Sequence, residues 1–434
     1  MDRRNSTAGT DDTGSVSTTT SLDVGFVPAE CPGTGSAGAT RTSELLIRRL
    51  SRHHDMTVYV ASQATAPESL PASDRVEYVL HDDLPSLPHP LSTKLDALRE
   101  EVDALETHDL VHTYSPGFIP VLADLSVPTI STLNSYLPVC PKGDLLYHDG
   151  SKCDGPSTGK CVNCIANANL DRRQGLTNSL RAAYSSLGKI GYVDDAMAAT
   201  DDIDAFQAIS PHIERDYADF GIDPDKITVV PHFYDDAFYR PPGNSRPDAE
   251  DVTLLFAGRL KDNKGPQILI RALPLIIDRG YDVTLKVAGT GSYAEELREL
   301  ATDLGVADVV EWLGYVDHDR LPDHYAAADA FVFPGLLDEP FGRVLLEALA
   351  THTPIVASDV GSTDYIVGDA GEIVEPGDPG ALAEGVDQVL TNYETHVDAI
   401  PSTLRRFDPE SVVAQFLDLY ARVADRSTKR PVTA

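Results

Sequence analysis

Lysine is scarce in this chain. Only ten of its 35 basic residues are Lys, and those 35 stand against 68 acidic residues, for a net charge of −33. A surface this negative repels phosphate backbones, which excludes generic nucleic-acid binding. At ordinary ionic strength such self-repulsion works against the compact state, whereas near molar salt the screening length falls to about 3 Å. Dispersed acids with no single acidic tail therefore point to a salt-adapted, halophilic cytoplasm, with an ordinary acidic mesophile protein as the alternative. Long apolar runs are missing too: no stretch approaches the roughly 20 residues of a membrane-spanning helix. Residues 1–21 have no apolar centre, which argues against a secretory leader and reads as a polar, disordered tail. There are five cysteines, and without a secretion signal a disulfide framework is not expected.

What is present suffices for packed cores: 42% of the 434 residues are hydrophobic, enough for two ordinary domains. Short apolar runs alternate with helical patterns, the signature of parallel α/β domains. Strands are expected at 23–27, 57–61, 76–80, 110–113, 129–133, 206–209 and 228–230, with helices such as 42–53 and 93–105 between them. Residues 233–250 are rich in Pro, Asp and Arg, carry no periodicity and read as a linker. A second series follows at 252–257, 283–288, 309–313, 330–333 and 355–358. The expected architecture is α/β: two Rossmann-like domains, 22–232 and 251–408, facing an interdomain cleft. A C-terminal helix and tail at 409–434 is expected to pack on the second domain. In such folds ligands bind at the carboxyl ends of the strands.

Three segments at expected strand ends carry chemistry. Gly258-Arg259-Leu260 is followed by Lys264-Gly265, placing two cations beside a helix N-terminus, which suits a diphosphate; a solvated turn with surface charges is the plain alternative. Gly289-Thr290-Gly291 is a glycine turn that permits close backbone approach. In Glu339-Pro-Phe-Gly-Arg-Val-Leu-Leu-Glu347, Pro340 suits the first turn of a helix. Glu339 would then precede the helix, Glu347 would lie about two turns inside it, and residues 341–343 would offer unpaired N–H groups to an anion.

Together these segments resemble glycosyltransferase family 4, the retaining nucleotide-sugar transferases of GT-B fold. The resemblance covers about residues 252–390 through FAGRLKDNKGPQILIRAL, KVAGTGSYAEELREL, the VVEWLGY to ASDVGS stretch and DAGEIVEPGDPGALAEGV. It implies transfer of a hexose from a nucleotide-diphosphate sugar to an acceptor hydroxyl in glycan, glycolipid or polysaccharide synthesis. Arg259 and Lys264 would neutralise the diphosphate, Glu347 would hold the ribose, Glu339 the transferred sugar, and Tyr315 and Val316 the base. Gly258, Gly289, Gly291, Phe341, Gly342 and Arg343 complete the implied donor site. With two cations on the diphosphate, catalysis requires no cofactor.

The first half resembles the family more loosely, through the glycine loop with Gly38, DLVHTYSP with His112, and ISPHIERDYADFGIDPDKITVVPHFYD. Gly38, His112 and Asn134 are the implied acceptor and sugar side. Three positions depart from the family pattern: Asn134 stands where a His is common, Pro231-His232-Phe233 replaces a Pro-Asn-Gly turn, and His352 occupies a common Gly position. A nucleotide-sugar epimerase of the same architecture and a non-catalytic glycan-binding subunit are the alternative functions. The acceptor would be a glycan or lipid-linked, and Arg41, Arg48, Arg49 and Arg52 on the first helix suggest peripheral contact with the inner face of a membrane.

The remaining cysteines form C140-x12-C153-x7-C161-x2-C164 within an insertion at 137–175. The closing CxxC suits two thiolates on one ion. The spacing leaves open a structural zinc on Cys140, Cys153, Cys161 and Cys164, free thiols in a flexible acceptor flap, an iron–sulfur cluster, or disulfides.

Overall fold

A computed structural model describes residues 21–34, 38–68, 70–85, 90–148, 151–168, 176–241 and 251–427. Nearly all of the N-terminal polar tail, residues 242–250 of the expected linker and 169–175 of the cysteine insertion lie outside the described residues.

The first sheet contains β1 (Asp23–Val27), β2 (Asp55–Ala61), β3 (Val76–His81), β4 (Leu110–Thr113), β5 (Thr129–Leu133), β6 (Ala205–Ala208) and β7 (Ile227–Val229). Their order is β3-β2-β1-β4-β5-β6-β7, parallel throughout. The second contains β8 (Asp251–Ala257), β9 (Asp282–Ala288), β10 (Val310–Gly314), β11 (Ala330–Phe333), β12 (Ile355–Ser358) and β13 (Gly371–Val374), in the parallel order β10-β9-β8-β11-β12-β13. Strands such as β4, β5, β11 and β12 are buried at every residue, as expected where helices cover both faces. In each sheet the chain reverses direction of build beside its first strand, so β1/β4 and β8/β11 are the switch points where α/β ligands bind. The two expected Rossmann-like domains are both present.

Strand β13 is absent from the apolar pattern because it is short and half-exposed, with Glu372 in its middle. Gly371 is required there: a Cβ would lie 1.9 Å from the Ile355 carbonyl oxygen of the adjacent strand.

Two further expectations are corrected. The C-terminal helix Pro409–Ser427 packs on the first domain, not the second. Val412, Phe416, Leu419, Tyr420 and Val423 join Val24, Phe26, Leu46 and Val58 in one apolar cluster. The stripe at helical spacing thus covers the β1–β2 face beside the helix Gly38–Leu50. The described part of the 233–250 stretch is also not a loose linker. Phe233 and Phe238 are buried, and the Arg240 amide donates to the Ala350 carbonyl at 2.9 Å. Another apolar cluster, containing Phe238, Tyr325, Phe341 and Phe407, is continuous between the domains. Aromatic spacing too irregular for a helix or strand here serves an interface.

No helix among the described residues is long and apolar enough to cross a membrane.

Candidate active site

The loops after β1 and β8 face each other across an open cleft. From the second domain it is lined by Gly258, Arg259, Gly289, Thr290, Tyr315, Val316, Arg343 and Glu347, and from the first by Gly33, Gly38, Arg41 and Glu44. Residues more than 300 positions apart meet there: Arg343 Nη1 donates to Thr42 Oγ1 at 3.2 Å, and a Cβ on Gly38 would lie 3.3 Å from Arg343 Cδ.

The glycine turns are explained by backbone crowding. A Cβ on Gly289 would sit 1.8 Å from the Gly258 carbonyl oxygen, and one on Gly291 2.0 Å from that of Leu260. Gly258 N–H donates to Ala288 O, and Leu260 N–H to Thr290 O, both at 2.9 Å. The two loops therefore brace each other, leaving Gly258, Gly289 and Thr290 facing the cleft, while Gly291 works through the backbone alone.

Arg259 is exposed at the end of β8, and among the described residues it has no ion-pair partner. Lys264 is placed differently. Its Nζ donates to Glu339 Oε2 at 2.6 Å, and both side chains line a neighbouring cavity of about 570 Å³ with Tyr136, Gly143, Asp144 and Asp338. The two expected diphosphate cations thus lie in adjoining spaces, one free and one paired.

The glutamate-bearing helix runs Arg343–Ala350 with Gly342 as its N-cap at φ +78°, which is glycine's region. It starts later than expected: Pro340 lies outside it, and Glu347 is little more than one turn inside. Leu345 N–H already donates to the Gly342 carbonyl at 2.9 Å, which leaves the Arg343 and Val344 amides of the first turn for an anion. Glu347 reaches the cleft floor, where its Oε2 accepts from the buried Tyr325 hydroxyl at 3.0 Å. Burial pushes the Glu347 carboxyl above the usual range, against the opposing pull of Arg343 and His318. The Phe341 side chain is buried, with its ring 4.4 Å from that of His232. It is a core residue, and of the expected donor set it offers the cleft no side chain.

His112 is likewise corrected. It lies within β4, fully buried, and does not reach the cleft. Thr132 Oγ1 donates to Gln207 Oε1 at 2.6 Å, so His112 Nε2–H donates to Thr132 at 2.8 Å and Nδ1 accepts from the Tyr420 hydroxyl at 2.6 Å. Burial pushes its pKa down to about 3. It is a neutral core histidine that anchors the C-terminal helix. Asn134 follows β5, and its amide donates to the Tyr114 carbonyl at 2.7 Å; it does not line the cleft.

The other two departures from the family pattern have structural roles. His232 is buried, with Nε2 2.5 Å from the Tyr114 hydroxyl, and burial holds it well below its ordinary pKa. His352 adopts φ +59°, the left-handed conformation that glycine takes without strain.

Some of the cleft was not anticipated. Asp235, buried at the domain junction, accepts from Arg41 Nε at 2.8 Å and lies 3.2 Å from His318 Nε2. Burial would raise its pKa, but His318 and Arg41 pull it below the usual carboxylate range. The only available signal was its place in the acidic stretch after β7. Arg41 also pairs with Glu44, Arg48 with Glu44, Arg49 with Asp236 and Glu410, and Arg52 lies 3.7 Å from Glu410. Arg52 lies beyond the helix end at Leu50, against expectation, and all four arginines have acidic partners and form no free basic stripe.

A second ionic cluster is built around Asp338, which lines the smaller cavity. Lys152 Nζ lies 2.8 Å from Asp216 and 2.9 Å from Asp338, while His212 Nε2 lies 3.2 and 3.5 Å from the same two carboxylates. The His212, Asp216 and Asp338 atoms have the spacing of metal ligands, but the two carboxylates already have two cations between them. Burial alone would lower the His212 pKa; the carboxylates push it up to about 9.

The four clustered cysteines line one pocket of about 300 Å³, and none is in a disulfide. Burial pushes the Cys161 and Cys164 thiols above their ordinary pKa.

Residues 36–238 match the family model for Glycosyltransferase Family 4, and residues 242–406 that for Glycosyl transferases group 1. The chain is 41% identical over 146 residues to an uncharacterized glycosyltransferase of Methanocaldococcus jannaschii, which covers 33% of this chain and 37% of that protein. It is 35% identical over 188 residues to the phosphatidyl-myo-inositol mannosyltransferase of Mycobacterium leprae (42% and 50%), and 31% identical over 245 residues to the D-inositol 3-phosphate glycosyltransferase of Corynebacterium efficiens (50% and 57%). The matches thus span about a third to somewhat over half of these relatives' lengths. Among solved structures, the Anabaena protein HepE in complex with UDP superposes with a TM-score of 0.63 at 19% identity over 92% of this chain and 99% of that one. Sucrose-phosphate synthase from Thermosynechococcus elongatus gives 0.66 at 18% identity over 93% and 99%. The two halves of the chain thus match the Glycosyltransferase Family 4 and Glycosyl transferases group 1 models in turn, and together they have the GT-B fold.

Proposed function

We propose that this chain transfers a hexose from a nucleotide-diphosphate sugar to an acceptor hydroxyl, with retention of configuration, in the synthesis of a glycan or glycolipid. The observation that carries the reading is the meeting, at two switch points, of the unpaired Arg259, the first-turn amides of the Arg343–Ala350 helix and the Glu347 carboxylate. An anion and a polyhydroxyl group are what this combination binds. Among the solved structures of similar fold, HepE is described with UDP-glucose, which supports a nucleotide-sugar donor.

In this reading the leaving diphosphate lies against Arg259 and the helix start. Its charge grows in the transition state, so fixed donors there lower the barrier. Glu347, held by Tyr325, takes the ribose hydroxyls. Glu339 takes the hydroxyls of the transferred sugar, with Lys264 orienting its carboxylate. Closure of the two domains excludes water and suppresses hydrolysis. The acidic surface suits a cytoplasm rich in salt. The test is a panel of nucleotide sugars in about 2–3 M KCl, where surface repulsion is screened, with free nucleotide diphosphate and the anomeric configuration of the product as readouts. Acceptor-dependent release with retention supports the reading; donor conversion without any acceptor overturns it in favour of an epimerase.

A further inference from the structure

The cysteine insertion has an architecture that the glycosyl-transfer reading does not use. Cys140 opens a short turn in which Gly143 N–H donates to the Cys140 carbonyl at 2.9 Å, with Gly143 at φ +81°. The chain then doubles back: Leu146 and Lys152 form an antiparallel bridge, Tyr147 N–H donates to Ser151 O, and Cys153 N–H to Leu145 O, both at 2.8 Å. That places Cys153 at the foot of a hairpin. The helix Thr158–Ala168 follows, with Cys161 and Cys164 three residues apart, so both face one side. A turn, a hairpin and the first turns of a helix thus deliver four thiols to one pocket.

The insertion has only partial support from the apolar core: Cys140 and Leu145 belong to the cluster that runs between the domains and Cys153 packs against it, but the helix that follows does not share in it. Cys161, Cys164 and Ile165 are buried, yet they belong to none of the three apolar clusters that fill the domains. A segment this small cannot hold itself with apolar burial and needs a staple. Disulfides do not supply one, since all four cysteines are free. The thiols make only weak contacts with oxygen: Cys153 Sγ lies 3.4 Å from the Gly155 carbonyl, and Cys164 Sγ 3.6 Å from that of Leu146.

We propose that Cys140, Cys153, Cys161 and Cys164 bind one structural zinc ion. Four thiolates with no open position make a closed tetrahedral site, the arrangement of structural rather than catalytic zinc. The sulfurs must draw together to do so. Tetrahedral bonds of about 2.3 Å set them about 3.8 Å apart, whereas no three of them lie within 4.8 Å of one another. Short side-chain rotations about a pocket all four already line accomplish this, and each thiol releases its proton to solvent as its sulfur bonds to the ion.

The site matters to the cleft because of its neighbours. Lys152, adjacent to Cys153, pairs with Asp216 of the first domain and Asp338 of the second. Gly143 and Asp144, just beyond Cys140, line the Lys264–Glu339 cavity. The zinc holds the wall of that cavity in place without touching the reacting groups.

The test uses the full chain, expressed with zinc supplied and purified without chelator. Metal analysis is expected to give about one zinc per chain, as for a four-cysteine site. Cys161→Ser and Cys164→Ser are each expected to reduce it to background, while Cys31→Ser, which removes the one thiol outside the cluster, leaves it unchanged. Because a variant can fail by misfolding, the wild-type protein supplies an independent readout. Exchange of its metal for Co²⁺ should produce the sulfur-to-cobalt charge-transfer band and intense visible bands of a tetrahedral thiolate site. Protein with neither bound zinc nor a Co²⁺ spectrum overturns the proposal, as do iron with acid-labile sulfide, or disulfides found by alkylation and mass analysis.

Discussion

The two adjoining cavities differ in how their charges are settled. In the larger one Arg259 has no ion-pair partner among the described residues, and Arg343 donates only to a threonine hydroxyl. In the smaller one Lys264 is bound by Glu339, and Asp338 is bound from behind by Lys152 and His212. An unpaired cation in a chain of net charge −33 is a place prepared for an anion from outside. A space whose ions already compensate one another suits a neutral, hydroxyl-rich group that exchanges hydrogen bonds without displacing charge. Under the proposed function, the difference assigns the diphosphate to the larger cavity and the transferred sugar to the smaller.

The division can be broken most directly at Arg259. Arg259→Ala is expected to lower kcat by about a hundredfold, the scale of removing one donor to developing charge, with a smaller change in donor KM. Near wild-type turnover in a folded variant would remove the phosphate side. Lys264→Ala should also slow turnover, but not independently of its partner. In a double-mutant cycle with Glu339→Gln, the two should couple by about 1–3 kcal/mol; additive effects would show that the ion pair is incidental.

Glu347→Gln is expected to raise donor KM roughly tenfold, the worth of one charge-assisted hydrogen bond, with little effect on kcat, since a ribose contact is the same in ground and transition states. A loss confined to kcat would move Glu347 into the chemistry.

The ionic wall of the smaller cavity has a pH signature. The His212 pKa, about 9 in the fold against an ordinary 6.5, is raised. Its contribution to stability is therefore fully present below pH 6.5 and is lost as pH rises through about 9. Thermal melting between these values should show a falling alkaline limb that His212→Gln flattens. An unchanged limb in the variant would detach His212 from that wall. The smallest effect is expected at His352, at the far end of the helix that carries Glu347. Since it holds a left-handed conformation, His352→Gly should stabilise the chain by about 1 kcal/mol, measured by denaturant unfolding; a net loss would show that its contact with Tyr239 outweighs the strain.

Much of the phosphate side was legible in the amino-acid order because its residues are local. Gly258-Arg259 and Gly289-Thr290 each follow a strand that its own apolar run announces, so a motif and its position come together. Chain order misled where side chains answer to distant partners. His112 looked like a sugar contact because it lies in a strand motif, but its ring is governed by Thr132 and by Tyr420, 308 residues away. The arginines of the first helix looked like a basic surface because Asp235, Asp236 and Glu410 lie far along the chain. Phe341 sits in a donor motif and faces the core, because which way a side chain turns near a helix start depends on what packs behind it.

By itself the sequence determined the two parallel sheets, the strand-end location of the glycine turns and the four-cysteine pattern, because period, turn chemistry and spacing act over a few residues. Only the tertiary structure decided that the last helix belongs to the first domain, that the stretch after β7 is a packed junction, and which cations are free. Burial and ion pairing depend on every group that shares a space, and the chain brings those groups together from positions that no local pattern connects.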